Sequence, residues 1–195
     1  MRKIRVFAHV SLDGVISPGG PNADSDYAHG GWTAPYRTPA GAAAVAEAQG
    51  KNFDLLLGRR TYDLWADFWP KAANSPIADG LNAATKYVAT HRAESLQWGP
   101  VGSLGADVFE GIRGLKSNDG PDLIVWGSST ITSVLFEQGL VDEVLLLVYP
   151  VFLGRGKRFF SDNVGPRELA LFSTKTMSSG VLMNAYRHVG ALRTE

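Results

Sequence analysis

Apolar residues alternate with longer or polar ones along "KIRVFAHV" (3–10), where Ile4, Val6, Ala8 and Val10 share one side, so the chain is predicted to open on a strand. Three short apolar runs follow, "FDLLLG" (53–58), "TKYVAT" (85–90) and "DLIVWG" (122–127), each suited to a strand buried on both faces. Behind each run the period changes to that of a helix, in "RTYDLWADF", in a shorter stretch after Thr90 and in "STITSVLFEQG". "ADVFEGIRGLK" (106–116) sets Val108, Phe109, Ile112 and Leu115 at helical spacing. "AGAAAVAEAQGKN" (40–52) is helical by its alanine content, with Gly50 near its C-terminal end. Strands and helices in alternation predict a largely parallel sheet with crossover helices.

The end of the chain departs from that rhythm. "DEVLLLVYPVFLG" (142–154) reads as a long strand limited by Pro150, and "ELALFSTKTMSSGVLMNAYRHV" (168–189) as two alternating strands around "SSG". No crossover helix fits between those last two, which predicts an antiparallel C-terminal hairpin on a mixed sheet. Between Ser11 and about Pro39 glycines and prolines are too frequent for a helix or a central strand. So long an irregular segment is either a lid or binding loop, placed at roughly 15–35, or a decorative insertion.

Composition then limits the classes of function. A chain of 195 residues with 45% hydrophobic and 19% charged residues suits one globular domain spanning 1–195. Lys+Arg equals Asp+Glu at 19 each, so no global field draws in nucleic acid or an anionic membrane. Any anion site must be local. The absence of cysteine excludes disulfides, thiolate metal sites and cysteine nucleophiles, and suits a reducing cytoplasm. No apolar run approaches the roughly 18 residues of a membrane span, and His9, Ser11 and Asp13 interrupt the first one. A soluble, cytoplasmic protein is expected. The four histidines show no metal-ligand spacing, and "GRGKRFF" (154–160) is read as a solvated loop rather than a nucleic-acid patch. Trp65, Trp69 and Trp98 are read as core more readily than as a partner surface.

Three strand ends carry the candidate chemistry: Gly58, Arg59, Arg60 and Thr61; Thr90, His91 and Arg92; and Gly127, Ser128, Ser129 and Thr130. In an open parallel sheet, ligands bind beyond the carboxyl ends of the strands, so all three clusters fall on one edge. Glycine admits a ligand to the backbone, helix N-termini offer unpaired N–H groups, and arginine grips phosphate. Taken singly, each cluster is equally an ordinary turn, with Thr61 and Ser128 as N-caps. The repetition at three crossovers points to a phosphorylated ligand. Neither G-x-G-x-x-G nor a P-loop is present.

"SLDGVIS", "LLLGRRTYDLWADFWP", "KYVAT" and "DLIVWGSSTITSVLFEQGLVDEVLLLVYPVFLGRGKRFF" together resemble the bacterial dihydrofolate reductase-like proteins, including the reductase domain of riboflavin biosynthesis. The resemblance spans nearly the whole chain. It implies NADPH as cofactor, with Gly58, Arg59 and Thr61 on phosphates, Thr90 with His91 or Arg92 near the adenosine 2′-phosphate, and the Gly127–Ser128–Ser129–Thr130 turn cradling the pyrophosphate. It also implies Ser11, Asp13, Gly14 and Ile16 along the nicotinamide side. The chain departs from the family where dihydrofolate reductases carry an acid facing the pterin: "TPAGAAAVAEAQ" has alanines there, with Glu47 displaced toward the next strand. Where related turns show paired glycines, Trp126 precedes Gly127, an indole that either packs or stacks.

The expected activity is NADPH-dependent hydride transfer to a small heterocycle, pterin-like or aminopyrimidine-like. Asp13 is the candidate catalytic acid, although Asp-Gly after a strand is equally a turn signal; His9 reads as a core histidine and Tyr149 as a weaker proton donor. The alternatives are the riboflavin-pathway reductase, which calls for a second basic cluster drawn from Arg37, Arg155, Lys157 and Arg158, and a non-catalytic nucleotide-binding protein. A homodimer is expected from the habit of small α/β enzymes.

Overall fold

The first strand, β1 (Ile4–Ser11), lies at the centre of an eight-stranded sheet. A computed structural model describes residues 1–16, 27–160 and 164–194. The helices and strands follow in the order α1 (Pro39–Gln49), β2 (Phe53–Gly58), α2 (Arg59–Phe68), α3 (Pro76–Ala83), β3 (Lys86–Ala89), β4 (Val101–Gly102), α4 (Val108–Ser117), β5 (Asp122–Trp126), α5 (Ser129–Glu137), β6 (Glu143–Tyr149), β7 (Arg167–Thr176) and β8 (Leu182–Ala191). The strands stand in the order β4-β3-β2-β5-β1-β6-β8-β7. All neighbours from β4 to β6 are parallel, while β6–β8 and β8–β7 are antiparallel. The expected α/β architecture, a mixed and mainly parallel sheet with an antiparallel C-terminal hairpin, is the observed one.

The period-two pattern of β1 sorts its side chains between two cores. Ile4, Val6 and Ala8 join Leu56, Leu123, Val125, Ile131 and Leu135 in one; Phe7 joins Leu55, Leu57, Ile124, Trp126 and Leu145 in the other. α4 and α5 cover the first side, α1, α2 and α3 the second. Every residue of β2 is buried, as a parallel strand covered on both faces requires.

Three expectations are revised. The stretch after Thr90 forms only a single 3-10 turn, Ala93–Ser95. The strand expected over 142–154 stops at Tyr149, because Pro150 has no N–H to continue the ladder. α3 was not foreseen, although Ser75 accepts a bond from the N–H of Ala78 at 3.2 Å and Pro76 begins the helix. Within the proposed lid, residues 17–26 lie outside the described residues; of the remainder, Trp32 and Thr33 are buried and Ala34–Tyr36 form a 3-10 turn.

Two charges are buried away from the strand ends. Arg2 donates to the carboxylate of Asp54 and to the carbonyl of Pro121, tying the start of β1 to β2 across β5. Lys86 has no solvent exposure; its ammonium donates to the carbonyls of Asn82 (2.7 Å) and Gly99 (3.0 Å) and sits 4.2 Å from the Trp98 ring centre. Burial lowers its pKa from 10.5 to about 8. Between those values the unfolded chain holds a proton that the folded chain has released, so this group adds stability as pH rises through the window. Relative to Lys86→Met, the wild type is expected to gain on the order of 2–3 kcal/mol between the ends of that window. Urea unfolding of both proteins at each end checks this, and an unchanged difference contradicts it.

Candidate functional site

The three sequence clusters meet at the carboxyl ends of β2, β3 and β5. Arg59, the first residue of α2, donates through Nη1 to Thr90 Oγ1 (3.4 Å), the Arg92 carbonyl (3.2 Å) and Ser95 Oγ (2.7 Å). Its Nε donates to the Asp63 carboxylate, one turn on, at 2.8 Å. The first cluster is thereby bolted to the second.

Gly58 joins the first cluster to the third. Its φ of −74° suits any residue, but an added Cβ would run into Ser128 Oγ and lie 3.1 Å from the Ser128 Cβ. Glycine is needed there for close approach of two crossovers. Gly127 and Ser128 both adopt left-handed backbone, with φ of +61° and +52°, turning the chain sharply from β5 into α5. An added Cβ on Gly127 would touch Thr61 Oγ1 at 3.7 Å, so Thr61 belongs to the same corner.

Neither helix that starts here is capped by a side chain. Gly58 has none to offer α2, and Ser128, the residue before α5, makes no capping bond. The ordinary N-cap reading of Thr61 and Ser128 is therefore not what is observed: Thr61 lies inside α2, and neither residue caps a helix with its side chain. Arg60, His91, Arg92 and Thr130 are exposed and Ser129 is buried. The side chains of His91 and Arg92 make no hydrogen bond among the described residues. Trp126 packs: 7% exposed, it stands edge-on to Phe7 and stacks at 25° on His9, on the opposite core from Ile131.

Past the end of β1 the chain turns at Asp13 and Gly14, whose φ is +81°. The Asp13 carboxylate accepts from Ser11 Oγ (2.6 Å) and from the N–H groups of Leu153 (3.2 Å) and Gly154 (2.8 Å). The Ser11 bond is the main reason its pKa lies below the usual carboxylate value. So employed, the carboxylate anchors the turn after β1 to the segment that follows β6. Arg158 donates to the Asp13 carbonyl, Ile16 N–H to the Lys157 carbonyl (2.7 Å), and Val15 is fully buried.

His9 is the residue that sequence reasoning misplaced. It is exposed, although its neighbours in the middle of the sheet are not: Phe7, Trp126, Leu147 and Tyr149 are all buried. Its Nδ1 lies 2.7 Å from the Tyr149 hydroxyl. Trp32 and Tyr36 stand edge-on to Tyr149 at 5.1 and 5.6 Å. Although the imidazole touches solvent, it lies deep within the outline of the protein. Loss of water, with the Arg37 charge second, lowers its pKa to about 4. Burial raises the Tyr149 phenol to about 12 against the opposing pull of Arg37. Of the proposed second basic cluster, Arg37 thus faces this end of the sheet. Glu47 does not; it is exposed and reaches Lys175 at 3.6 Å.

A central parallel sheet with three crossover corners on one rim and an antiparallel C-terminal hairpin defines a dihydrofolate reductase-like fold. Dihydrofolate reductase from Enterococcus faecalis, solved with NADP(H), matches at a TM-score of 0.61, with 16% identity, 95% of this chain and 96% of that one covered. A pyrimidine reductase-like protein from Corynebacterium diphtheriae matches at 0.67, with 13% identity and 96% and 92% covered. A putative riboflavin biosynthesis protein from a Shewanella species matches at 0.64, with 15% identity and 96% and 99% covered. Residues 2–183 match the RibD C-terminal domain, and the chain belongs to that family. Among curated proteins, the uncharacterized protein YyaP of Bacillus subtilis is 30% identical over 140 residues, which is 70% of this chain and 74% of that protein.

Proposed function

We propose that the chain is an NADPH-dependent reductase acting on a small nitrogen heterocycle, pterin-like or aminopyrimidine-like. The observation that carries this reading is the meeting of Arg59, Thr90 and Ser128 at one corner, through the Arg59 bonds and the Gly58–Ser128 approach. The residues present suit a dinucleotide. Gly127, Ser128, Ser129 and Thr130 would hold the pyrophosphate against the uncapped helix ends, and Gly58, Arg59, Arg60 and Thr61 would serve the phosphates, with Arg59 on the side of Thr90 and Arg92. Thr90, His91 and Arg92 would hold the 2′-phosphate; Ser11, Asp13, Gly14 and Ile16 would border the nicotinamide. When bound, NADPH supplies the hydride. The chain binds and orients, and residues 27–38 would help keep water from the site.

Arg37 beside His9 gives specific support to a second reading, reduction of a ribosylaminopyrimidine phosphate, whose phosphate needs a cation at this end. A soluble cytoplasmic homodimer completes the proposal, with sedimentation as its measurement. No helix among the described residues is long and apolar enough to cross a membrane.

Arg59→Ala combined with Arg92→Ala is expected to weaken NADPH about tenfold or more and NADH by about threefold or less, because a charge-assisted contact to the 2′-phosphate is lost. Calorimetric titration with both dinucleotides measures it. Equal losses would contradict the 2′-phosphate assignment, and no binding of either dinucleotide to the wild type would overturn the reductase reading. The Arg59–Asp63 pair is partly exposed, so the fold should survive its removal.

A further inference from the structure

An aspartate followed by glycine occurs three times in the chain, at Asp13–Gly14, Asp79–Gly80 and Asp119–Gly120. The pair is chemically weak. The backbone nitrogen after an aspartate can attack the side-chain carboxyl carbon and close a five-membered imide, and glycine, with no Cβ, crowds that attack least. Closure needs a carboxyl group free to swing, an amide free of hydrogen bonds and a backbone free to turn.

The fold withholds these conditions from two of the three. The Asp13 carboxylate accepts from Ser11 Oγ (2.6 Å) and from the N–H groups of Leu153 (3.2 Å) and Gly154 (2.8 Å), while the Gly14 N–H donates to the Ser11 carbonyl at 3.0 Å. The Ser11 bond, the main cause, holds that carboxyl below its usual pKa, which favours the carboxylate over the more electrophilic acid. Asp79 and Gly80 stand inside α3, where the Asp79 N–H donates to the Ser75 carbonyl at 2.9 Å and Gly80 continues the helix. An imide there would break a helical turn.

Asp119 meets all of the conditions. It lies in the irregular link between the end of α4 at Ser117 and the start of β5 at Asp122. Its side chain is fully exposed and touches the N-terminal ammonium, itself exposed, at 3.3 Å, a pairing too weak to hold it. The Gly120 N–H makes no hydrogen bond among the described residues, and its φ of +152° belongs to the region that glycine enters freely.

We infer that Asp119 is a modification site, at which the folded chain converts spontaneously to isoaspartate, and that the conversion loosens the anchor of Arg2. The Gly120 nitrogen bonds to the Asp119 side-chain carboxyl carbon and gives up its proton; the carboxyl hydroxyl leaves with that proton as water. Water then opens the imide. Addition at the main-chain carbonyl carbon breaks its bond to the Gly120 nitrogen, so the chain now runs through the side-chain carbons and the former main-chain carbonyl is a free carboxylate. One water is lost and one regained, with no oxidation and no change in mass.

A longer main chain is felt at this place. The extra backbone atom falls just before Pro121, whose carbonyl accepts from the buried Arg2, and Asp122, whose carboxylate accepts from the Lys3 N–H at 3.0 Å. Space is short there, since an added Cβ on Gly120 would lie 3.4 Å from Arg2 Cδ. The corner at Trp126 and Gly127 stands at the other end of β5 and keeps its geometry. The conversion is independent of the reductase reading.

The whole chain, folded in buffer and unfolded in guanidinium chloride, is aged at neutral pH below its melting transition in water enriched in heavy oxygen. Peptide mapping by mass spectrometry counts isoaspartate and incorporated heavy oxygen at each pair. Unfolded, the three pairs are expected to convert at similar rates. Folded, Asp119 should convert about tenfold or more faster than Asp13 or Asp79, because each of those must first break hydrogen bonds. Asp119→Asn, whose amide closes more readily, should raise the yield at this position, and Asp119→Glu, which would need a larger ring, should abolish it. Equal conversion at Asp13 or Asp79 in the folded chain, or none at Asp119 while the unfolded sample converts, overturns the assignment. The converted chain, separated by ion exchange, should melt about 2–4 °C lower through loss of the bond to Arg2. An unchanged melting temperature overturns the loosening of that anchor.

Discussion

Asp54→Ala is expected to lower the unfolding free energy by about 3–5 kcal/mol, the largest loss of any single substitution considered. The reason lies on the Arg2 side of the pair. Arg2 is 4% exposed, and among the described residues its guanidinium reaches, besides Asp54, only the Pro121 carbonyl and the face of Tyr87, 5.6 Å away. Without the carboxylate, the positive charge stays in the interior with one acceptor. The N–H of Thr85 also loses Asp54 Oδ1 at 3.2 Å. Arg2→Met/Asp54→Leu, which removes both charges, is expected to recover most of the loss, since replacing a buried pair by apolar groups is often near neutral. Chemical denaturation of the wild type, the single and the double variant measures the cycle. A double variant no more stable than Asp54→Ala would show that the pair stabilises by its attraction rather than by avoiding an orphan charge.

Gly58→Ala is expected to cost about 1–3 kcal/mol by overpacking and to weaken NADPH about tenfold or more, because its methyl group would push Ser128 out of the corner. Ser128→Gly removes both atoms in the way and relieves a left-handed residue that has a side chain. The double variant Gly58→Ala/Ser128→Gly should therefore regain wild-type stability. If it stays as unstable as Gly58→Ala, the contact between the β2 and β5 crossovers is not what requires glycine.

Much of this was legible in the sequence for a plain reason: period. Alternation marked β1, continuous apolar runs marked β2 and β5, and helical spacing marked α4 and α5. What escaped depended on neighbours distant in sequence. The burial of Lys86 is set by the carbonyls of Asn82 and Gly99 and by the Trp98 ring, which come together only in the fold. The pattern of β1 already placed His9 on the side of Phe7, away from Val6 and Ala8. It could not show that the covering layer stops short there, since that depends on where α1 and residues 27–38 come to rest. The strand-end clusters were readable because crossover topology sends every parallel strand end to one rim. The anchoring of Asp13 escaped for the same reason, because an Asp-Gly pair does not reveal the amides of Leu153 and Gly154, distant in sequence, that meet its carboxylate.

The outermost strand, β7, shifts register against β8 twice, between Glu168 and Leu169 and between Leu171 and Ser173. Each break bends the ribbon and misaligns its outward-facing amides, so a foreign strand approaching that border could zip up only a few bonds before losing step. Runaway fibre growth from this margin is thereby discouraged, while Leu171 and Phe172, about half exposed, remain open to contact of another kind.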